Sequence, residues 1–113
     1  MVQFGYDLGI QNSQPLIWTQ LQIDCCAASG VFCDGSQRVK LIHWNDMELN
    51  GTINGTAIPS NVELLWLYRN QITSSIPSEL PGGLVELYLH GNKMSGDLPS
   101  FPSTLQHLAL GYF

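Results

Sequence analysis

Val62-Glu-Leu-Leu65-Trp-Leu67-Tyr-Arg-Asn70 and Leu84-Val-Glu-Leu87-Tyr-Leu89-His-Gly-Asn92 carry one pattern twice. Each has an apolar residue, two others, L-x-L, two more residues and an asparagine, the form L-x-x-L-x-L-x-x-N. Leu105-Gln-His-Leu108-Ala-Leu110 begins a further copy, and Val39-Lys-Leu-Ile42-His-Trp44 fits upstream as a degenerate first one. The copies start near residues 39, 62, 84 and 105, so the unit recurs every 21–23 residues. A fixed period of this length marks a solenoid, whose units bury their apolar sides only by stacking on one another.

Within each copy the L-x-L stretch reads as a short strand whose alternate residues point to opposite faces. Ile42, Trp44, Leu65, Leu67, Leu87, Leu89, Leu108 and Leu110 then point inward and stack between turns. Asn70 and Asn92 fall where the chain must bend, and an amide there can satisfy backbone groups that the bend would bury unpaired. The corresponding positions in the first and last copies are Met47 and Phe113, so the asparagines are confined to the middle.

The second halves, Asn70-Gln-Ile72-Thr-Ser-Ser-Ile76-Pro77 and Asn92-Lys-Met94-Ser-Gly96-Asp-Leu98-Pro99, resemble the plant-type leucine-rich-repeat motif N-x-L-x-G-x-I-P. Leu49-Asn-Gly51-Thr-Ile53 is the same element in the first copy. Ahead of it, Trp18 and Asp24-Cys25-Cys26-Ala-Ala-Ser-Gly30-Val31-Phe-Cys33-Asp34 resemble the N-terminal cap of that family, with Ala28 where the cap usually has Trp. The family includes receptor ectodomains and polygalacturonase-inhibiting proteins. The resemblance implies an α/β solenoid, a short right-handed coil of about four repeats with a parallel concave sheet. The repeats are shorter than is usual for this type, so few or no convex helices are expected. Residues 1–38 would form the cap and residues 39–113 the repeats, one domain in all. The resemblance also implies a Cys26–Cys33 disulfide in the cap and an extracellular, secreted protein whose leader is not in this chain. Cys25 is then left over, as a buried thiol or as an interchain disulfide.

Composition excludes several classes of function. Four basic residues face nine acidic ones for a net charge of -5, so the Lys/Arg cluster that a nucleic-acid binder needs does not exist. No apolar run reaches the roughly 18–20 residues that span a bilayer, and membrane insertion is not expected. The sequons Asn50-Gly51-Thr52 and Asn54-Gly55-Thr56 make Asn50 and Asn54 candidate glycosylation sites. No phosphate loop, nucleophile elbow or H-E-x-x-H occurs. His43, His90 and His107 share a face but sit too far apart for one metal, so neither an enzyme nor a metal or other cofactor is expected.

The outward positions of the strands are Leu41, His43 and Asn45; Leu64, Trp66 and Tyr68; Glu86, Tyr88 and His90; and His107, Ala109 and Gly111. Trp and Tyr dominate binding hot spots, whereas a solvated sheet face normally carries small polar and charged residues. Trp66, Tyr68 and Tyr88 are therefore candidate anchors, with His43, Arg69, Glu86 and His90 as polar surroundings. A protein partner is the first expectation and a glycan, whose rings stack on aromatics, the second. A structural or ice-binding solenoid is the third. The rings packing only on one another, or under a flanking loop such as Met1–Gln14, is the competing reading. Leu105, Leu108 and Leu110 have a neighbour on one side only. Gly111–Phe113 folding back, or a homodimer through that end, would cover them.

Overall fold

The computed structural model describes residues 25–27 and 29–111. Trp18, Ala28, Met1–Gln14, Tyr112, Phe113 and the Cys25 side chain lie outside the described residues. Each L-x-L segment forms a strand where the sequence places it: β2 (Val39–His43), β4 (Leu64–Trp66), β6 (Glu86–Tyr88) and β8 (His107–Ala109). These four run parallel, with Ile42, Leu65, Leu87 and Leu108 in one register column and His43, Trp66, Tyr88 and Ala109 in the next. They bound about three turns of a coil. The chain returns between them through a second parallel sheet of β3 (Asn50–Gly51), β5 (Gln71–Ser74) and β7 (Lys93–Met94). The only helical pieces among the described residues are single 3-10 turns, Cys25–Ala27 and Gly55–Ala57, in line with the short repeat.

The core lies between the two sheets. Ile42, Trp44, Leu65, Leu67, Leu87 and Leu89 are at most 1% exposed. Burying each such aliphatic side chain stabilises by about 1.5–3 kcal/mol. The return limbs supply the facing layer, with Leu49, Ile72 and Leu84 equally enclosed. The stack opens at its far end, where Leu98 is 56% and Leu108 42% exposed, as expected of a last copy with one neighbour.

The bend after each strand is secured from inside. Asn70 is buried; its Oδ1 accepts from the backbone N–H of Met47 (2.9 Å) and Leu49 (3.1 Å), and its Nδ2 donates to the carbonyls of Trp44 and Leu67 (both 2.8 Å). One turn on, Asn92 Oδ1 accepts from Ile72 N–H (3.0 Å) while Nδ2 donates to Leu67 (3.0 Å) and Leu89 (2.9 Å). Each amide thus ties its own turn to the one before it. Just ahead of this column Asp46, Arg69 and Gly91 all take a left-handed backbone, with φ of 55°, 55° and 75°.

The cap departs from the expected all-parallel sheet. β1 (Val31–Cys33) joins β2 antiparallel, with Val31 opposite Ile42 and Phe32 opposite Leu41. Only Asp34–Arg38 connects the two strands, and a parallel crossover needs a dozen residues or more, so a hairpin is forced. Asp34 holds the hairpin, its carboxylate accepting from the N–H of Ser36 (2.8 Å) and Arg38 (3.1 Å) and from Arg38 Nε (2.9 Å). The Cys26–Cys33 disulfide is formed as the resemblance implied. Trp44 Nε1 donates to the Ser29 carbonyl (3.0 Å), so the first repeat's largest core residue also anchors the cap. Gly30 passes over it with φ +78°, where a Cβ would stand 2.5 Å from the His43 carbonyl oxygen.

Replacing Asn70 by Ala removes the partner of two N–H groups, of Met47 and Leu49, and of the Trp44 carbonyl, while the Leu67 carbonyl keeps Asn92. A buried unsatisfied group costs about 1–3 kcal/mol, so Asn70→Ala is expected to lose roughly 3 kcal/mol or more. Urea unfolding followed by circular dichroism measures this; a loss below about 1 kcal/mol would contradict the role given to the amide.

Candidate recognition face

Strand alternation turns His43, Trp66 and Tyr88 away from the core at the same register position. Their rings form a row: His43 stacks on Trp66 at 4.0 Å between centroids with planes 10° apart, and Trp66 on Tyr88 at 5.5 Å and 28°. Two residues further along the strands, Tyr68 and His90 stack at 4.7 Å and 8°. The rows touch through Trp66–Tyr68 (6.2 Å), Tyr68–Tyr88 (6.4 Å) and Tyr88–His90 (6.3 Å). Ring pairs at such spacings contribute about 0.5–1.5 kcal/mol beyond their burial. The rings therefore support one another, yet all five remain partly exposed.

Polar groups are threaded among the rings. Trp66 Nε1 donates to Glu86 Oε1 (3.1 Å). Arg69 lies over the Tyr68 ring at 5.2 Å and pairs with Asp46 at 3.0 Å. Near the strand starts Lys40 pairs with Glu63 at 2.9 Å. Exposed pairs of this kind contribute only about 0–1 kcal/mol, so they orient side chains more than they stabilise the fold. His43 Nε2 and His90 Nδ1 are buried against the face and have no hydrogen-bond partner among the described residues. Burial pushes the His43 imidazole below its ordinary value of 6.5, and the Glu86 carboxylate pulls it partly back.

All seven residues singled out from the sequence lie on or at the margin of this one face. Sequence reasoning missed Phe32. It stands on β1, half exposed, with its ring 5.4 Å from His43, and extends the aromatic row onto the cap. The alternation Val31 in, Phe32 out, Cys33 in was visible, but only the hairpin brings that strand beside β2. The three histidines do not converge: His107 pairs in register with Glu86, four residues before His90. Among the described residues no group of three or more His, Cys, Asp or Glu is placed to hold a metal ion. A separate open cleft of about 340 Å³ lies between the loops of successive turns. Its lining of Ser78, Leu80, Gly82, Ser100, Phe101, Pro102 and Ser103 includes no ionisable side chain.

Comparison with known proteins agrees with this architecture. The family model described as Leucine Rich Repeat matches residues 61–82 and 83–108. The chain is 33% identical over 96 residues, 82% of its length, to Protein STRUBBELIG-RECEPTOR FAMILY 1 of Arabidopsis thaliana. The chain is a plant-type leucine-rich-repeat protein. It spans 12% of the length of that curated relative. Among solved structures, this leucine-rich-repeat chain matches one in the crystal structure of the BIR3–SERK2 complex from Arabidopsis thaliana. That match has a TM-score of 0.64 and 31% identity, over 77% of this chain and 51% of the other. The ectodomain of the Arabidopsis receptor kinase SOBIR1 is a looser match, with a TM-score of 0.41 and 23% identity over 74% and 66% of the two chains.

The lowered proton affinity of His43 has a definite sign in stability. The folded state favours the neutral ring, so the unfolded chain takes up the proton first on acidification. The stabilising effect is complete above pH 6.5 and is lost as pH falls below it toward the folded-state value. His43→Phe keeps a ring against Trp66 and does not titrate. Its unfolding free energy is expected to fall less than the parent's between about pH 6.5 and pH 5; parallel pH dependences would remove His43 as a source of acid sensitivity.

Proposed function

We propose that this leucine-rich-repeat chain is an extracellular recognition module that engages a protein partner through its concave aromatic face. Trp66, Tyr68 and Tyr88 are the anchors, and His43, His90, Arg69 and Glu86 surround them. The observation that carries this reading is the connected network of rings on the open side of the larger sheet. Even after packing on one another the rings stay partly in water, where apolar area costs about 25 cal/mol per Å². A sheet face under no demand beyond solubility carries Thr, Ser, Lys or Glu instead. Phe32 enlarges the patch, and the rims with Arg69 and Asp46 extend it toward the roughly 800 Å² per partner of an ordinary interface.

The comparisons are in line with this. The matched relative is named as a member of a receptor family, and the matched structure is of a complex between two proteins. Secretion belongs to the same proposal, as does glycosylation at Asn50 and Asn54. Both asparagines are exposed on the return side of the coil, away from the aromatic face.

The test is capture of extracellular proteins on the immobilised chain, beside a folded Trp66→Ala/Tyr88→Ala variant and a glycan array. A protein held by the parent and weakened at least about 100-fold by the double variant, roughly 2.7 kcal/mol, is the expected result. Binding that survives both substitutions would move the site elsewhere, and capture of oligosaccharides alone would make the partner a glycan.

A second contact is favoured by one specific observation. Leu108 is exposed on β8, an edge strand of the larger sheet among the described residues, and Leu98 is exposed in the turn that precedes it. A homodimer through that end would pair the strand edge and bury both leucines. Sedimentation should then give a mass that rises with concentration in the parent and stays monomeric in Leu108→Lys; a parent that is monomeric throughout would exclude the dimer.

A further inference from the structure

The charges around the aromatic face are unequal in their commitments. The chain has four basic residues in all, against nine acidic ones. Lys40 and Arg69, the two cations bordering the face, already hold Glu63 and Asp46, and Arg38 holds Asp34 in the cap hairpin. The remaining cation, Lys93, is on β7 of the second sheet. Glu86 alone projects a carboxylate among the rings with no Lys or Arg paired to it among the described residues. Its one side-chain hydrogen bond among the described residues comes from the edge of Trp66, so Oε1 is held at the rim of the ring stack. A fixed anion beside a row of rings that ends on an open π face is chemically complementary to a cation that is flat and weakly hydrated.

We propose that the face takes a basic peptide segment of the partner, with an arginine guanidinium at the end of the ring row, stacked on the face of Tyr88 turned toward Ala109, and its N–H fork directed at Glu86. This rests on the concave face being the contact surface and adds to it the chemistry of the occupant. Arginine suits the site better than lysine because its plane lies flat on an aromatic face while its edge donates to a carboxylate. The protein already contains the first half of this arrangement in the Arg69 guanidinium over Tyr68. The net charge of -5 also draws a basic segment toward the chain and repels an acidic one.

The experiment uses the whole chain and two synthetic peptide libraries that differ at one position, arginine in one and its neutral isostere citrulline in the other. A lysine library is run beside them. Glu86→Gln keeps an oxygen to accept from Trp66 and removes only the charge, and Trp66→Ala breaks the ring row that holds Tyr88 and Glu86 in place. The expected result is about a tenfold preference for arginine over citrulline, with lysine between them. That preference should fall to near unity in Glu86→Gln, and binding of every library should be lost in Trp66→Ala. Trp66-dependent binding without an arginine preference, or a preference that survives Glu86→Gln, would overturn the proposal. Either result would leave the face standing as a contact surface. No Trp66-dependent binding of any peptide would also overturn it. In that case capture of a whole protein lost in Trp66→Ala/Tyr88→Ala, unmoved by Glu86→Gln, would still support the face itself.

Discussion

A buried amide holds the coil together. Every turn of a solenoid must bend inside its own core, where a backbone N–H or carbonyl without a partner costs about as much as a lost core methylene or two. Asn70 meets this demand with four short bonds, to Met47, Leu49, Trp44 and Leu67, which belong to two successive turns. Asn92 repeats the device one turn later. Only a side chain with a donor and an acceptor on one short planar group can do this. Aspartate lacks the donors, and glutamine carries its amide one carbon too far from the bend. The alignment of the strands, and so the alignment of the rings on the outer face, follows from these bonds.

The short repeat has its own consequence. Between Asn70 and the next strand the chain has room for the second sheet but not for a helix, so the return limb is β5 and β7 with extended links. Turning that tightly requires a left-handed residue on each limb, and Gly51, Ser74 and Gly96 supply it in successive turns with φ of 92°, 75° and 101°. Glycine takes that conformation freely; Ser74 takes it at some cost because its Cβ crowds the following carbonyl. The element read from the sequence as a plant-type motif is thus a turn requirement, which explains why Ser74 can stand in for glycine without breaking the coil.

On the open face, self-association of rings and availability to a partner coexist. The His43–Trp66 and Tyr68–His90 stacks fix ring orientation in advance, so less rotamer freedom would be left to lose on binding the partner proposed for this face. The same packing leaves His43 Nε2 and His90 Nδ1 without hydrogen-bond partners among the described residues. The face is therefore aromatic, stacked within itself and still partly exposed.

Much of this is legible in the sequence alone. The 21–23-residue period determined the strands, their parallel order, the inward leucines, the asparagine positions and the outward sets that became the aromatic rows. Such features repeat locally, and each copy confirms the others. The tertiary structure alone decided that Val31–Cys33 turns back as an antiparallel edge and brings Phe32 onto the face. It alone decided that Glu86 bonds the indole of Trp66 and that two imidazoles lie flat against neighbouring rings. The hairpin depends on a strand that lies outside the repeat, and the ring and indole contacts on side-chain rotamers across strands some twenty residues apart; periodicity fixes which face a residue occupies but not what it touches there.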